Sequence, residues 1–113
     1  MVKLQHQRSQ AYDTVFIEGR LGAANSSEVG SELVQILESG PGLVHLDLTE
    51  LSFLDSCGLS LFVSLLKRAR QNEGDLVLFN MNDRIRSLFE LTRLHEIFDI
   101  RQDDDSQLKQ VGT

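Results

Sequence analysis

Asp55, Ser56 and Cys57 stand side by side and are followed by Gly58, between an apolar run at 43–48 and a segment at 59–70 with helical periodicity. A strand feeding a helix through such a turn holds a carboxylate, a hydroxyl and a thiol at the helix mouth. The first backbone N–H groups of a helix lack intrahelical partners and the dipole is positive there, so an oxygen anion attached at that point is stabilised. Ser56 is thus a candidate phosphate acceptor, a candidate nucleophile or an ordinary N-cap, a role for which serine is among the best residues.

Each catalytic reading needs residues elsewhere. The elbow of serine hydrolases places a glycine two residues before its serine, where this chain has Leu54, and it needs a downstream acid and base. His95 is the one remote candidate base, but it sits among Leu94, Ile97 and Phe98, as a structural or surface histidine would. A phosphate-accepting Asp55 would need further carboxylates after the first strand to hold Mg²⁺. Glu18 is isolated, Gly22 ends the following turn, and no lysine follows the last strand. Cys57 at a helix start would have its thiolate favoured. No basic residue adjoins it in sequence, and Val63 stands where a cysteine phosphatase would carry an arginine, so it reads as a small, partly buried helix residue. His6, His45 and His95 are scattered, and no Cys/His pair has metal-ligand spacing. Neither a metal, a cofactor nor an enzymatic activity is expected.

The elements that must position this triplet follow from periodicity. Val2, Leu4 and His6 alternate with Lys3, Gln5 and Gln7, which predicts a short edge strand. A polar connector at 9–13 leads to a second strand at 14–18, antiparallel to the first if the connector is a hairpin, and 19–22 closes it with turn chemistry. Asn25, Ser26 or Ser27 caps a helix with Val29, Leu33, Val34, Ile36 and Leu37 on its apolar face. The run 43–48 predicts a central strand, followed by a short polar bend and, from Ser56 onward, a long helix to Arg70 whose first turn carries Asp55 to Gly58 and whose Leu59, Phe62, Val63, Leu66 and Ala69 share a face. A strand at 76–79, a helix capped by Asn82 through 91 and a last strand at 97–100 follow. A short terminal helix through Leu108 is a further expectation. Repeated β-α-β order implies parallel neighbours with right-handed crossovers. The fold class is α/β: a mixed sheet of about five strands with an N-terminal hairpin and three to four helices.

The 113 residues, 41% of them hydrophobic, suit one domain, with its core at about 2–101 and an acidic, then polar, tail at 103–113. A net charge of −6 argues against nucleic acid as a partner, because phosphate affinity needs clustered Lys and Arg. Cys57 is the only cysteine, so no intrachain disulfide forms. The first ten residues lack the apolar centre of a secretory signal, and the longest apolar stretch, 59–66, is far short of a membrane span. A cytoplasmic protein without membrane insertion is expected.

The run Leu51-Ser52-Phe53-Leu54-Asp55-Ser56-Cys57-Gly58-Leu59 resembles, in unbroken order, the pattern of the STAS-domain family of bacterial anti-sigma factor antagonists, and the similarity extends from about 14 to 100. The resemblance implies that Ser56 is phosphorylated by a partner anti-sigma factor, a serine kinase of the histidine-kinase-like ATPase fold. The unmodified form would bind that partner and free a sigma factor or other regulator. The phosphorylated form would not, until a metal-dependent serine phosphatase restores it. The partner surface implied comprises Gly22, Asn25, Ser26, Asp55, Ser56, Cys57, Gly58 and Leu59. Two departures stand out: Gly22 replaces an aspartate that many relatives carry after the second strand, and Cys57 replaces a second serine. The alternative is a STAS module without a switch, serving a transporter or scaffold complex through the same helix face.

Overall fold

The computed structural model describes residues 1–102 of the chain; the expected tail and terminal helix lie outside the described residues. The order is β1 (Val2–Arg8), β2 (Asp13–Leu21), α1 (Ser26–Ser39), β3 (Leu43–Asp47), β4 (Leu51–Leu54), α2 (Ser56–Gln71), β5 (Asp75–Phe79), α3 (Asp83–Leu91), a 3-10 turn at Leu94–Glu96 and β6 (Asp99–Arg101). The sheet is mixed. β1 and β2 form an antiparallel hairpin with Val2 opposite Gly19 and Arg8 opposite Asp13, and every other pairing is parallel.

The expected bend before α2 contains a sixth strand. β3 pairs with the first part of β2 and β4 with its last three residues, so β3 and β4 follow one another along the same flank of β2. Between them the Asp47 side chain accepts hydrogen bonds from Thr49 N (3.0 Å) and Thr49 Oγ1 (2.6 Å), which folds the chain into a turn. β2 also runs beyond the expected boundary at Gly19, because that glycine takes a φ of +108° at a register shift and lets the strand bulge without stopping. The last strand, in contrast, starts two residues later than expected, since the 3-10 turn and the exposed Ile97 precede it.

The sheet's inward residues, among them Val15, Ile17, Leu46, Leu76 and Leu78, join Leu33 and Leu37 of α1, Phe62 and Leu66 of α2, and Ile85 and Phe89 of α3 in one core. Each such side chain, fully buried, contributes roughly 1.5–3 kcal/mol. The opposite face carries Phe16, Glu18, His45 and Asp47, with Tyr12 stacked on His45 at 4.2 Å between ring centroids.

Where β1 ends and β2 begins lies a charge cluster the sequence did not suggest. Asp13 is fully buried, and its Oδ1 accepts from Arg8 Nε at 2.7 Å and lies 2.8 Å from His6 Nε2. Arg8 Nη2 also donates to Ile36 O (3.2 Å) and Ser39 Oγ (2.9 Å), placing a cation on the carbonyl end of α1. Burial alone would raise the Asp13 pKa; the hydrogen bonds from Arg8 and His6 outweigh it and hold it below the usual aspartate value.

Candidate functional site

The site forms where β2 and β4 end side by side. Asp55 N donates to Leu21 O (3.3 Å), so the two strand ends and the loops that leave them are held together. α2 then starts directly at Ser56, with Asp55 in extended conformation (φ −108°, ψ −173°) as its N-cap. The Asp55 Oδ1 accepts from Cys57 N (2.9 Å) and Gly58 N (3.1 Å), satisfying two of the donors that a helix start leaves free. Ser56 is therefore not the cap. It occupies the first helical position, exposed, with its hydroxyl free of any hydrogen bond among the described residues. Ser52 differs: its hydroxyl donates to Gly19 O at 3.0 Å.

The second loop, between β2 and α1, is built on Asn25. This residue sits at the N-cap position of α1 but does not cap it; its Oδ1 accepts from Gly22 N (3.0 Å) and its Nδ2 donates to Arg20 O (2.9 Å), closing the turn. The two loops meet through Asp55, whose Oδ2 accepts from Ala23 N at 3.0 Å. Hydrogen bonds from the backbone N–H groups of Gly58, then Ala23 and Cys57, hold the Asp55 carboxyl below its usual pKa. Ala23 enters through its backbone alone, so no side-chain signal could have revealed it.

The expected residues are brought together, in three grades of accessibility. Ser56 and Cys57 are exposed, which corrects the partly buried reading of Cys57, while Asn25, Ser26 and Asp55 are half-buried. Gly22, Gly58 and Leu59 are buried and shape the site from beneath. A Cβ on Gly58 would meet Leu21 O at 3.0 Å as well as the Leu54 side chain, so glycine lets α2 approach the strand ends. Shallow grooves flank α2: one of about 430 Å³ runs along Ser56, Leu59, Val63 and Leu94, the other, of about 420 Å³, along Ser26, Gly30, Leu61 and Ser64. His95 Nδ1 lies 3.3 Å from Phe89 O, turned to the backbone of α3. No helix among the described residues is long and apolar enough to cross a membrane.

An exposed, unbonded hydroxyl at the start of a capped helix suits attack on an electrophile supplied by a partner, since no base among the described residues is hydrogen-bonded to it. Comparison with known proteins bears on which partner. The STAS domain family matches residues 6–106. An anti-sigma-B factor antagonist of Listeria monocytogenes serovar 1/2a is 36% identical over 96 residues, covering 84% of this chain and 83% of that protein. A putative anti-sigma factor antagonist from Thermotoga maritima superposes with a TM-score of 0.83 at 21% identity, over 92% of this chain and 89% of the other. The anti-sigma factor antagonist SpoIIAA in its unphosphorylated form gives a TM-score of 0.78 at 16% identity, over 93% of this chain and 91% of the other. The sheet order, the strand-to-helix turn at Ser56 and these similarities together place the chain in the STAS domain family.

Proposed function

We propose that this chain is an anti-sigma factor antagonist that binds an anti-sigma factor through the loops at 22–26 and 55–59 and is released when that partner, acting as a serine kinase, phosphorylates Ser56. The observation that carries the reading is the division of labour at the start of α2: Asp55 caps the helix, and the Ser56 hydroxyl is left exposed and unbonded. In the transfer, Ser56 Oγ forms a bond to the γ-phosphorus of ATP as the bond to the bridging oxygen of ADP breaks, and the hydroxyl proton passes to a base of the kinase. A metal-dependent serine phosphatase reverses the step. The work takes place in the cytoplasm.

Phosphorylation adds about −1.5 to −2 charges at neutral pH. Asp55 adjoins the new phosphate and already bonds the Cys57 and Gly58 N–H groups, so the helix end offers little compensation. The phosphate therefore stays in water, where burial against a partner would strip its hydration and set it against a carboxylate. The fold is spared because Ser56 is exposed and its hydroxyl makes no hydrogen bond among the described residues.

Incubation with the candidate anti-sigma kinase and Mg-ATP, followed by peptide mass spectrometry, should place a single phosphate on Ser56. Ser56→Ala should bind the kinase and accept none, whereas Ser56→Asp should keep its folded circular dichroism spectrum and lose binding on the order of 100-fold, about 2.8 kcal/mol of like-charge and desolvation cost. Phosphate mapped elsewhere, or a Ser56→Asp variant that binds as well as the unmodified chain, would refute the reading.

A further inference from the structure

Gly22 is not needed for its backbone freedom, because its φ lies outside the left-handed region. It is needed for space. A Cβ built there would fall 2.5 Å from Asp55 Oδ2 and 2.9 Å from Asp55 Cγ, so the carboxylate occupies the volume that any side chain at this position would fill. Seated in that volume, Asp55 bonds in two directions: Oδ1 to the first turn of α2 and Oδ2 to Ala23 N in the β2–α1 loop. The loop at its other end is closed by Asn25, which bonds Gly22 N and Arg20 O, so the carboxylate joins two locally rigid units.

We infer that Gly22 and Asp55 together form a staple that fixes the Ser56 hydroxyl relative to the β2–α1 loop, and that both are positioning residues for phosphorylation. The inference rests on the reading of Ser56 as the acceptor. A kinase that docks on both loops meets the hydroxyl at one distance and angle only while the loops are tied. Cutting the tie leaves docking contacts in place but spreads the hydroxyl over a range of positions, which lowers the transfer rate more than the affinity. Neither residue touches the reacting atoms through its side chain.

Two variants cut the staple without removing the cap. Gly22→Ala places a methyl against a carboxylate that can rotate away, with no positive φ to strain. Asp55→Asn keeps an oxygen for Cys57 N and Gly58 N but turns an NH₂ donor toward Ala23 N–H; asparagine is as good an N-cap as aspartate. In the unmodified protein, amide proton shifts followed by NMR on acidification should show Ala23, Cys57 and Gly58 moving together, with a common midpoint below the ordinary aspartate value of 3.8. In Gly22→Ala, Ala23 should drop out of that set while Cys57 and Gly58 remain. In Asp55→Asn the shared titration should vanish.

With the kinase, each variant should lose roughly tenfold to a hundredfold in kcat with KM changed much less. The double variant should lose no more than either single one, because both cut the same tie. An Ala23 amide that does not follow the other two in the unmodified protein overturns the staple. A normal kcat in both variants overturns its positioning role. Absence of any phosphate on Ser56 in the unmodified chain sinks the acceptor reading, and the positioning role with it, while the amide titration still reports whether the staple exists.

Discussion

A serine and an aspartate that adjoin in sequence have separate duties at this site. Asp55 is inward and bonded to three backbone N–H groups; Ser56 is outward and bonded to none. The resemblance of Asp-Ser-Cys-Gly-Leu to the family pattern implies Ser56 as acceptor, but the assignment of the cap could not be read from the sequence, because both residues are excellent caps and only the helix start decides between them. The position of Gly22 bears on the same point. An aspartate there would set a second carboxylate in the volume that Asp55 fills. Gly22→Asp should therefore expel the Asp55 carboxylate from Ala23 and raise its pKa toward or above the ordinary 3.8, seen as an upward move of the Cys57 and Gly58 amide midpoints.

The elements present the site by close approach. α2 was legible because Leu59, Phe62, Leu66 and Ala69 recur at helical spacing, and all four are buried. β4 was not, because four residues with one exposed serine carry too little alternation to separate a strand from a bend. Its existence depends on β2 offering a free flank beyond the end of β3, a fact of topology. Gly58 lies where α2 meets both strands, and Gly58→Ala should overpack that contact, costing about 1–3 kcal/mol in chemical denaturation. Phe62→Ala, at the centre of the same helix, should cost roughly 3–5 kcal/mol. Phe62→Ala should lose partner binding only in proportion to the unfolded fraction, which separates this buried support from the residues of the binding loops.

Among the described residues a hydrogen-bonded carboxylate sits at each end of the sheet and apolar packing fills the middle. Asp13, at the end of the sheet away from Ser56, was read as part of a polar connector because nothing in a single sequence announces burial for an aspartate after Ala11 and Tyr12. The hairpin register decides it, setting Asp13 opposite Arg8 on the inward face. Asp13 and Asp55 both have folded-state pKa values below 3.8. On acidification below 3.8 the unfolded chain takes up protons that the folded chain refuses, so stability should be level above that value and fall as pH drops through the folded values. Asp13→Ala should flatten part of that fall and cost about 1.5–3 kcal/mol at neutral pH, the worth of charged hydrogen bonds. On the proposed reading, function rests on a surface that one phosphate closes. The most direct measurement is calorimetric titration of the candidate anti-sigma kinase into the unmodified chain and into the chain stoichiometrically phosphorylated on Ser56. The account predicts saturable binding to the first and loss of affinity on the order of 100-fold for the second, with both folded. Equal affinity for the two forms would contradict it.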